Sequence, residues 1–546
     1  MLHLKTYKIW LFILKILWLK KMRNSKYKYI FPIIVLIGIL IGVGFYFSTN
    51  KTLELHLLHT NDLHAHLLPF NPDNRKCTYN QNGCLGGFAT IKTIIDSHRQ
   101  KHSDLVLLDA GDRFSGTVFY TLRKSQDIIP LMNQFQYDAL TLGNHDFDSG
   151  LSEIEKMMNV VTAPVVSANV KFPQESVLAK KIKKSVIIER QGQKIGIIGA
   201  LTPDVKTETI SAREIDLLPL VQSIQEEIDV LRKQNVQYII LLTHIGFNLD
   251  KEIASQLTDV DIIVGGHSHT LLSNNNTEKQ DSYPVVVFNK SGEKVLIVSA
   301  GFGGQYIGAL SVVLKNGSVQ SYHGDTIRLD LSIRPNQEMK VQIEQIEKEL
   351  AEQLNKPIMS LSENVSLTPN QLFCSEECYI GEVLTDALKQ KYQDVDFVFM
   401  NAGGIRSGLF KGAVSFKQLA EVYPFDSSVV VVKMTGEQVE RYLQYGIKNY
   451  IPDDRTNELL QVAGLSYTFD AQKKYITDIK VKNGHLDKNK EYRVVLPSFL
   501  AEGGDGFPVY PIEKELSQSV RNLLIDIFQL QTYQLPIFEK RVQKIN

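Results

Sequence analysis

The chain has little cysteine and almost no tryptophan. Its 546 residues include four Cys and two Trp, and both tryptophans, Trp10 and Trp18, lie near the N-terminus. So few cysteines exclude a disulfide scaffold. Net charge is also absent, with 60 Lys+Arg against 60 Asp+Glu. That balance is uneven along the chain. The first 28 residues hold Lys5, Lys8, Lys15, Lys20, Lys21, Arg23, Lys26 and Lys28 and no acid, which leaves 52 basic against 60 acidic groups, a net of −8, for the remainder. A protein that grips a nucleic-acid polymer needs a basic face to displace counterions, so that class is excluded. P-loop, G-x-S-x-G and H-E-x-x-H signatures are missing, as are internal repeats and low-complexity tracts; common NTPase, serine-hydrolase and zincin chemistries are thereby set aside. With 43% apolar and 22% charged residues the chain buries ordinary cores, and its length suits two or more domains.

The N-terminal 1–50 reads as an export signal or membrane anchor. Ile30 to Phe47 is uncharged and almost wholly apolar, preceded by basic residues and followed by Ser48-Thr49-Asn50. Its length is near the roughly 20 residues that span a bilayer. The positive-inside rule puts the chain after Asn50 outside the cytoplasm, in the periplasm or on the extracellular face. Without a small-x-small cleavage site, the expectation is an uncleaved anchor, the only membrane contact. Met22-Arg23 offers an alternative start.

From 51 to 335 short apolar runs alternate with helical patterns. LELHLLH (53–59), LVLLDAG (105–111), ALTLG (139–143), APVVSAN (163–169), KIGIIGAL (194–201), YIILLTH (238–244), DIIVGG (261–266) and VLIVSAG (295–301) read as buried strands. Leu151–Val160 and Val221–Gln234 read as helices between them. This alternation predicts an α/β layered fold. A charged stretch within 336–356, with Ile343, Ile346 and Leu350 on one face, reads as an exposed linker helix. A second α/β segment, 357–546, contains FVFMNAGG, VVVVKMTG and YRVVLPS as strands and Ile380–Lys391 and Gly436–Gly446 as helices.

Open α/β sheets bind ligands beyond the carboxyl ends of their strands. Several runs end in oxygen and nitrogen donors: Asp62 and His64, Asp112, Asn144-His145-Asp146, His244, and His267 and His269. Carboxylates, an amide oxygen and imidazoles suit Zn²⁺, Mn²⁺ or Co²⁺. Each piece alone would be an ordinary loop; together, and always just past a buried run, they predict a divalent-metal site. His56 and His59 fall inside or at the end of the first strand and are read as strand or supporting residues.

The ordered set Asp-x-His, Gly-Asp, Gly-Asn-His-Asp, His, Gly-His-x-His resembles the calcineurin-like metallophosphoesterases. The strings LLHTNDLHAH, GDRFSGT, GNHDFDSG and VGGHSH are similar to the 5′-nucleotidase branch, which includes bacterial periplasmic UDP-sugar hydrolases and animal ecto-5′-nucleotidases. The resemblance runs from about Leu53 to Phe538. It implies a four-layer α/β/β/α domain followed by a second α/β domain that binds substrate. It implies one metal on Asp62, His64 and His269, a second on Asn144, His244 and His267, and Asp112 bridging both. Two such ions clamp a phosphoryl oxygen and generate hydroxide at neutral pH. His145 and Asp148 are implied as a catalytic dyad, His145 stabilising transferring charge or protonating the leaving oxygen and Asp148 orienting its ring. Asp148 could also be the N-cap of the helix at Leu151; Asp146 reads as a loop residue.

In the second domain, Asn401-Ala402-Gly403-Gly404-Ile405-Arg406 follows an apolar run; its glycines permit close approach by an anion, and arginine binds phosphate bidentately. The resemblance implies a nucleoside pocket in which Phe425 and Phe499 stack on the base and Asp505 accepts from ribose hydroxyls, with Gly464 as a pocket-side glycine. One departure stands out. The family carries an arginine just before the second domain's first helix, and here that stretch is Phe373-Cys374-Ser375-Glu376-Glu377-Cys378, with two acids and no base. The local pairs Cys77/Cys84 and Cys374/Cys378 suit two short-loop disulfides in an oxidising compartment, and the resemblance implies similarly placed pairs.

The function expected is therefore an exported 5′-nucleotidase-type phosphohydrolase acting on nucleoside 5′-phosphates. Alternatives are a UDP-sugar or 2′,3′-cyclic-nucleotide phosphohydrolase on the same scaffold, or a nucleotide-binding envelope protein without turnover. The last should lack Asp112, Asn144 or His145, and all three are present. The preferred ester, the native metal and the oligomeric state are left open by sequence.

Overall fold

Two six-stranded sheets stack face to face in the first domain. In the computed structural model, residues 52–71, 83–330, 332–367, 374, 377–425, 427–448, 450–451, 459–482, 484–530 and 534–545 are described. The expected anchor at 30–47 and Cys77 lie outside them. Among the described residues no helix is long and apolar enough to cross a membrane.

The first sheet runs Ser318–Arg328, Tyr306–Lys315, Thr52–Thr60, Val106–Asp109, Ala139–Thr141, Val165–Val166. Its last four strands are parallel. The second runs Val285–Phe288, Lys294–Val298, Ile262–Gly265, Tyr238–His244, Gln193–Leu201, Ser185–Arg190, with a parallel centre. Side chains alternate across a strand, so one apolar run feeds two cores. Leu53, Leu55 and Leu57 enter the layer between the sheets, as do Ile240 and Leu242. Leu58 faces the outer helices of the first sheet, and Ile239 and Leu241 those of the second. Helices Phe88–Lys101, Ser125–Asn133 and Leu151–Val160 cover one side, and Leu220–Lys233 and Phe247–Gln256 the other. The architecture is α/β/β/α, as expected.

The strands named from sequence are present, though the segment at 163–169 narrows to Val165–Val166. The Tyr306–Lys315/Ser318–Arg328 hairpin is an addition. Burial alternates along Tyr306–Lys315, so it gives no continuous apolar run; the Asn316-Gly317 turn, both residues at positive φ, was the available signal.

Helix Gln337–Leu354 is capped by Asn336, whose side chain accepts from the Met339 backbone N–H. Expected to be exposed, it is docked: Met339, Ile343, Leu350 and Leu354 are buried in the first-domain core. The second domain is built on a five-stranded sheet ordered Leu460–Ala463, Phe397–Asn401, Glu491–Pro497, Ser428–Thr435, Ile512–Ser519. Helices Tyr379–Lys391, Gly436–Lys448 and Val520–Phe528 pack with it into one core. Cys374 and Cys378 form a disulfide just before the first of these helices. Cys84 is also disulfide-bonded.

Candidate active site

The strand ends of both sheets meet at one edge of the first domain. Asp62 and His64 follow Thr52–Thr60, Asp112 follows Val106–Asp109, and Asn144 follows Ala139–Thr141. From the second sheet, His244 ends its own strand, and His267 and His269 follow Ile262–Gly265. The chain turns sharply at these points: Asp62, His64, Asp112, His267 and His269 all have φ between 46° and 80°. Non-glycine residues adopt that left-handed region at a cost of about 1–3 kcal/mol each, which the surrounding packing must offset. Gly143 permits a further close approach, because a Cβ there would collide with the Asp112 backbone and carboxylate.

Two donor groups result, Asp62/His64/His269 and Asp62/Asp112/His244, each with its ligand atoms within 4.8 Å of one another. His64 Nε2 and His269 Nε2 are 3.1 Å apart. Asn144 Oδ1 extends the second group, 3.2 Å from His244 Nε2 and 3.1 Å from His267 Nδ1. Asp112 Oδ2 lies between them, 3.8 Å from His64 Nε2 and 3.1 Å from His244 Nε2. Asp62 also spans them, its Oδ1 3.5 Å from His269 Nε2 and 3.9 Å from His244 Nε2.

The donor set fits divalent cations. His244 Nδ1 donates to the Ala110 carbonyl at 2.6 Å and His64 Nδ1 to the Phe114 carbonyl at 3.2 Å. A carbonyl only accepts, so Nδ1 carries the proton and the Nε2 lone pair points into the cluster, the usual arrangement for a ligating histidine. Burial opposes charge on His244, yet the Asp112 and Asp62 carboxylates raise it to about 10. The negative field that holds a proton there is the field a cation would occupy. Burial lifts Asp62 to about 6, with Asp112 adding to the effect.

His145 leaves this cluster toward solvent. Its Nδ1 lies 2.9 Å from Asp148 Oδ2, which also accepts from Ser115 Oγ. Burial opposes its charge, but Asp148 and Asp112 raise it to about 9. Asp148 does not cap the next helix; Gly150 occupies that position, without a side-chain cap. Asp146, expected as a plain loop residue, is fully buried and ion-paired with Arg113 at 2.7 Å. His59 sits between the sheets, hydrogen-bonded to Tyr283 at 2.9 Å. His56 stacks on His102, with ring centroids 3.6 Å apart. Sequence reading missed Phe302, whose ring is 4.7 Å from His269 and 5.4 Å from His64, and the neighbouring Gly303 N–H, which donates to the Asp62 carbonyl at 2.7 Å. The strand before them ends in no metal-type donor, so nothing marked that loop.

The second domain brings its own residues to the same place. The Phe425 ring centroid is 6.0 Å from that of His145, and the Arg406 guanidinium lies 5.2 Å over Phe425. Burial lowers the Arg406 pKa, while Asp148, Asp505 and Asp112 oppose the fall, so this one cation feels carboxylates from both domains. Asn401 Nδ2 donates to Asp505 Oδ2 at 3.0 Å. Phe499 packs over Gly504, where a Cβ would strike its ring. A Cβ on Gly403 would meet nothing within 4 Å, so its exposed side is open to a ligand. Gly464 is not brought here. Antiparallel register pairs Asn401 with Leu460 and Val398 with Ala463, which puts Gly464 at the far end of the strand pair, against the Asp396 carbonyl. Its φ of 88° serves that turn.

Comparison with known proteins agrees with this geometry. Residues 55–271 match the model of the calcineurin-like phosphoesterases and residues 362–511 that of the 5′-nucleotidase C-terminal domain. The chain is 33% identical over 502 residues to Protein 5NUC of Lutzomyia longipalpis, covering 85% of this chain and 87% of that one. It is 31% identical over 496 residues to the 5′-nucleotidase of Bos taurus, covering 84% and 85%. The chain belongs to the 5′-nucleotidase family. A 5′-nucleotidase precursor from Thermus thermophilus superposes with TM-score 0.81 at 28% identity, over 90% of this chain and all of that one. The family and the site together make the chain a metal-dependent phosphoester hydrolase that uses divalent cations.

Proposed function

We propose that the chain releases phosphate from nucleoside 5′-phosphates outside the cytoplasm, at a site shared by its two domains. The observation that carries this reading is the meeting of Phe425 and Arg406 with His145 and the donor cluster. An aromatic face, a cation and a metal-type site in one cleft match the base, phosphate and scissile bond of a nucleotide.

Asp62, His64 and His269 would hold one cation, Asn144, His244 and His267 a second, and Asp112 both. When bound, such ions polarise the phosphoryl oxygens and acidify a water enough for it to attack at neutral pH. The protein's residues do the rest. His145, kept protonated by Asp148, stabilises the charge developing on the transferring group and delivers a proton to the leaving ribose oxygen. Ser115 and His145 share one Asp148 oxygen, which fixes the imidazole. Arg406 neutralises the phosphate, Phe425 and Phe499 hold the base, and Asn401 and Asp505 take the ribose hydroxyls. Gly403 leaves room for the ligand. The stretch Cys374–Cys378 contains no basic residue, and Arg406 is the phosphate-binding cation of this reading.

The test is phosphate release by the purified chain from a panel of AMP, UMP, ATP, UDP-glucose and a 2′,3′-cyclic nucleotide, with and without Mn²⁺, Zn²⁺ or Co²⁺. Metal-dependent turnover with AMP or UMP preferred is expected. Preference for UDP-glucose or the cyclic nucleotide would replace the substrate assignment, and metal-independent turnover would sink the mechanism.

A further inference from the structure

The loops that end at Asp112 and begin at Asn144 run side by side and are stitched residue by residue. The His145 backbone N–H donates to Asp112 Oδ1 at 2.9 Å. One step along, Arg113 Nη1 donates to Asp146 Oδ2 at 2.7 Å. Further on, Ser115 Oγ donates to Asp148 Oδ2. Asp112, Asn144 and His145 face the cleft, whereas Arg113 and Asp146 point the other way and are wholly buried.

Arg113 does more than pair with one acid. Its Nη2 donates to the Thr141 carbonyl, at the end of the neighbouring strand, and approaches Asp109 Oδ1 at 3.4 Å, at the end of its own. Asp146 Oδ2 in turn accepts from the Gly143 N–H at 2.9 Å. One guanidinium therefore ties two parallel strand ends to the turn that carries Asn144 and His145. A planar fork of several donors can do this, and an ammonium cannot. A fully buried ion group is a poor source of stability, since desolvation consumes most of what its attractions return. Its geometric constraint is the more distinctive contribution. Moving Asn144 relative to Asp112 by even one ångström would spoil a shared cation site.

We propose that Arg113 is a positioning residue that sets the spacing between Asp112 and Asn144, and through it the affinity for the cation held by Asn144, His244 and His267. The proposal rests on the metal-ligand reading given above. Arg113 touches neither substrate nor metal; it acts through Asp146 and the Gly143 turn.

The experiment uses the full chain and Mn²⁺ alone as probe. Bound Mn²⁺ per chain is titrated at a temperature well below the Tm of each protein, for wild type, Arg113→Lys, Arg113→Gln, Asp146→Asn and Asp112→Asn. Wild type should take two ions. Arg113→Gln and Asp146→Asn should weaken one of the two by about tenfold or more, the scale on which groups supporting metal ligands act, and leave the other within about twofold. Arg113→Lys should fall between. At saturating Mn²⁺ the kcat of these variants should recover while KM for AMP stays near wild type, a split that a merely structural residue would not give. If Arg113→Gln or Asp146→Asn folds and binds both ions as wild type does, the proposal is overturned. If all three variants at 113 and 146 lose their fold, Arg113 is a folding residue and the proposal is equally overturned. Wild-type Mn²⁺ binding in Asp112→Asn would instead remove the underlying metal reading, an outcome distinct from the other two.

Discussion

The two halves of the cleft are built on opposite plans. On the first-domain side Asp62, His64, Asp112, Asn144 and His244 are buried to 4% exposure or less, the first three in turns at positive φ, while His145, His267 and His269 at the mouth of the cleft are half-buried. On the second-domain side Arg406, Phe425, Phe499 and Asp505 are all half-buried, and the open space above Gly403 is where a ligand would lie. A metal site tolerates errors of only a few tenths of an ångström, so rigidity is required there. A pocket for a base and a sugar needs stacking surface and adaptable polar contacts, and residual freedom costs it little. On the proposed function, chemistry belongs to the first-domain side and preference to the second-domain side.

That division can be broken by substitution. The largest effect belongs to Asp112→Ala, which removes a carboxylate lying between both donor groups. Activity should fall by about 10³-fold or more together with loss of at least one bound metal, measured by kinetics and elemental analysis on the same sample. Full metal content with full activity would dissolve the distinction. His145→Ala comes next: kcat should drop by about 10²–10⁴-fold with KM little changed. A rise in KM alone would move His145 to the binding side.

Phe425→Ala and Phe499→Ala sharpen the comparison from the other direction. Each should cost AMP about 1–3 kcal/mol in kcat/KM, and an aryl phosphate much less. Equal losses on both substrates would mean that the rings serve packing instead of base recognition.

The smallest effect on turnover concerns the layer beneath the rigid side, where stability is the property that should respond. Burial lowers the His59 pKa to about 3 from an ordinary 6.5. The folded state therefore binds this proton less readily than the unfolded chain, so its contribution is complete above about pH 6.5 and declines as pH falls toward 3. The full span is roughly 5 kcal/mol at most. Tm of the chelated protein should fall between pH 7 and 4, and His59→Phe should flatten part of that fall. An unchanged slope would place the acid sensitivity elsewhere.

Much of the rigid side was legible because its donors sit immediately after apolar runs. A buried strand must end, and Gly-Asp, Gly-Asn-His and Gly-His-Ser-His at such ends announce both the turn and the donor. Arg113 and Asp146 were not legible. A charged pair beside a metal-type motif looks the same in sequence whether it faces water or the sheet, and its complete burial depends on Thr141 and Asp146 arriving from a neighbouring strand and its turn. Phe302 was missed for the same reason, since its partners His64 and His269 come from distant segments. Gly464 was misplaced because a short motif carries no information about which end of a strand pair faces the cleft; the register of Asn401 with Leu460 settles that.

Local order along the chain was sufficient to specify the layered first domain, the second α/β domain, the family and the metal-type donors, because strand periodicity and strand-end chemistry are written within a few neighbouring residues. Three-dimensional packing was needed to bring Phe425 and Arg406 against His145, to lay the helix Gln337–Leu354 onto the first-domain core, and to bury Arg113 against Asp146. Those relations join residues tens to hundreds of positions apart, and the free energy that selects them comes from shared cores and closely matched polar contacts, which no local stretch of sequence contains.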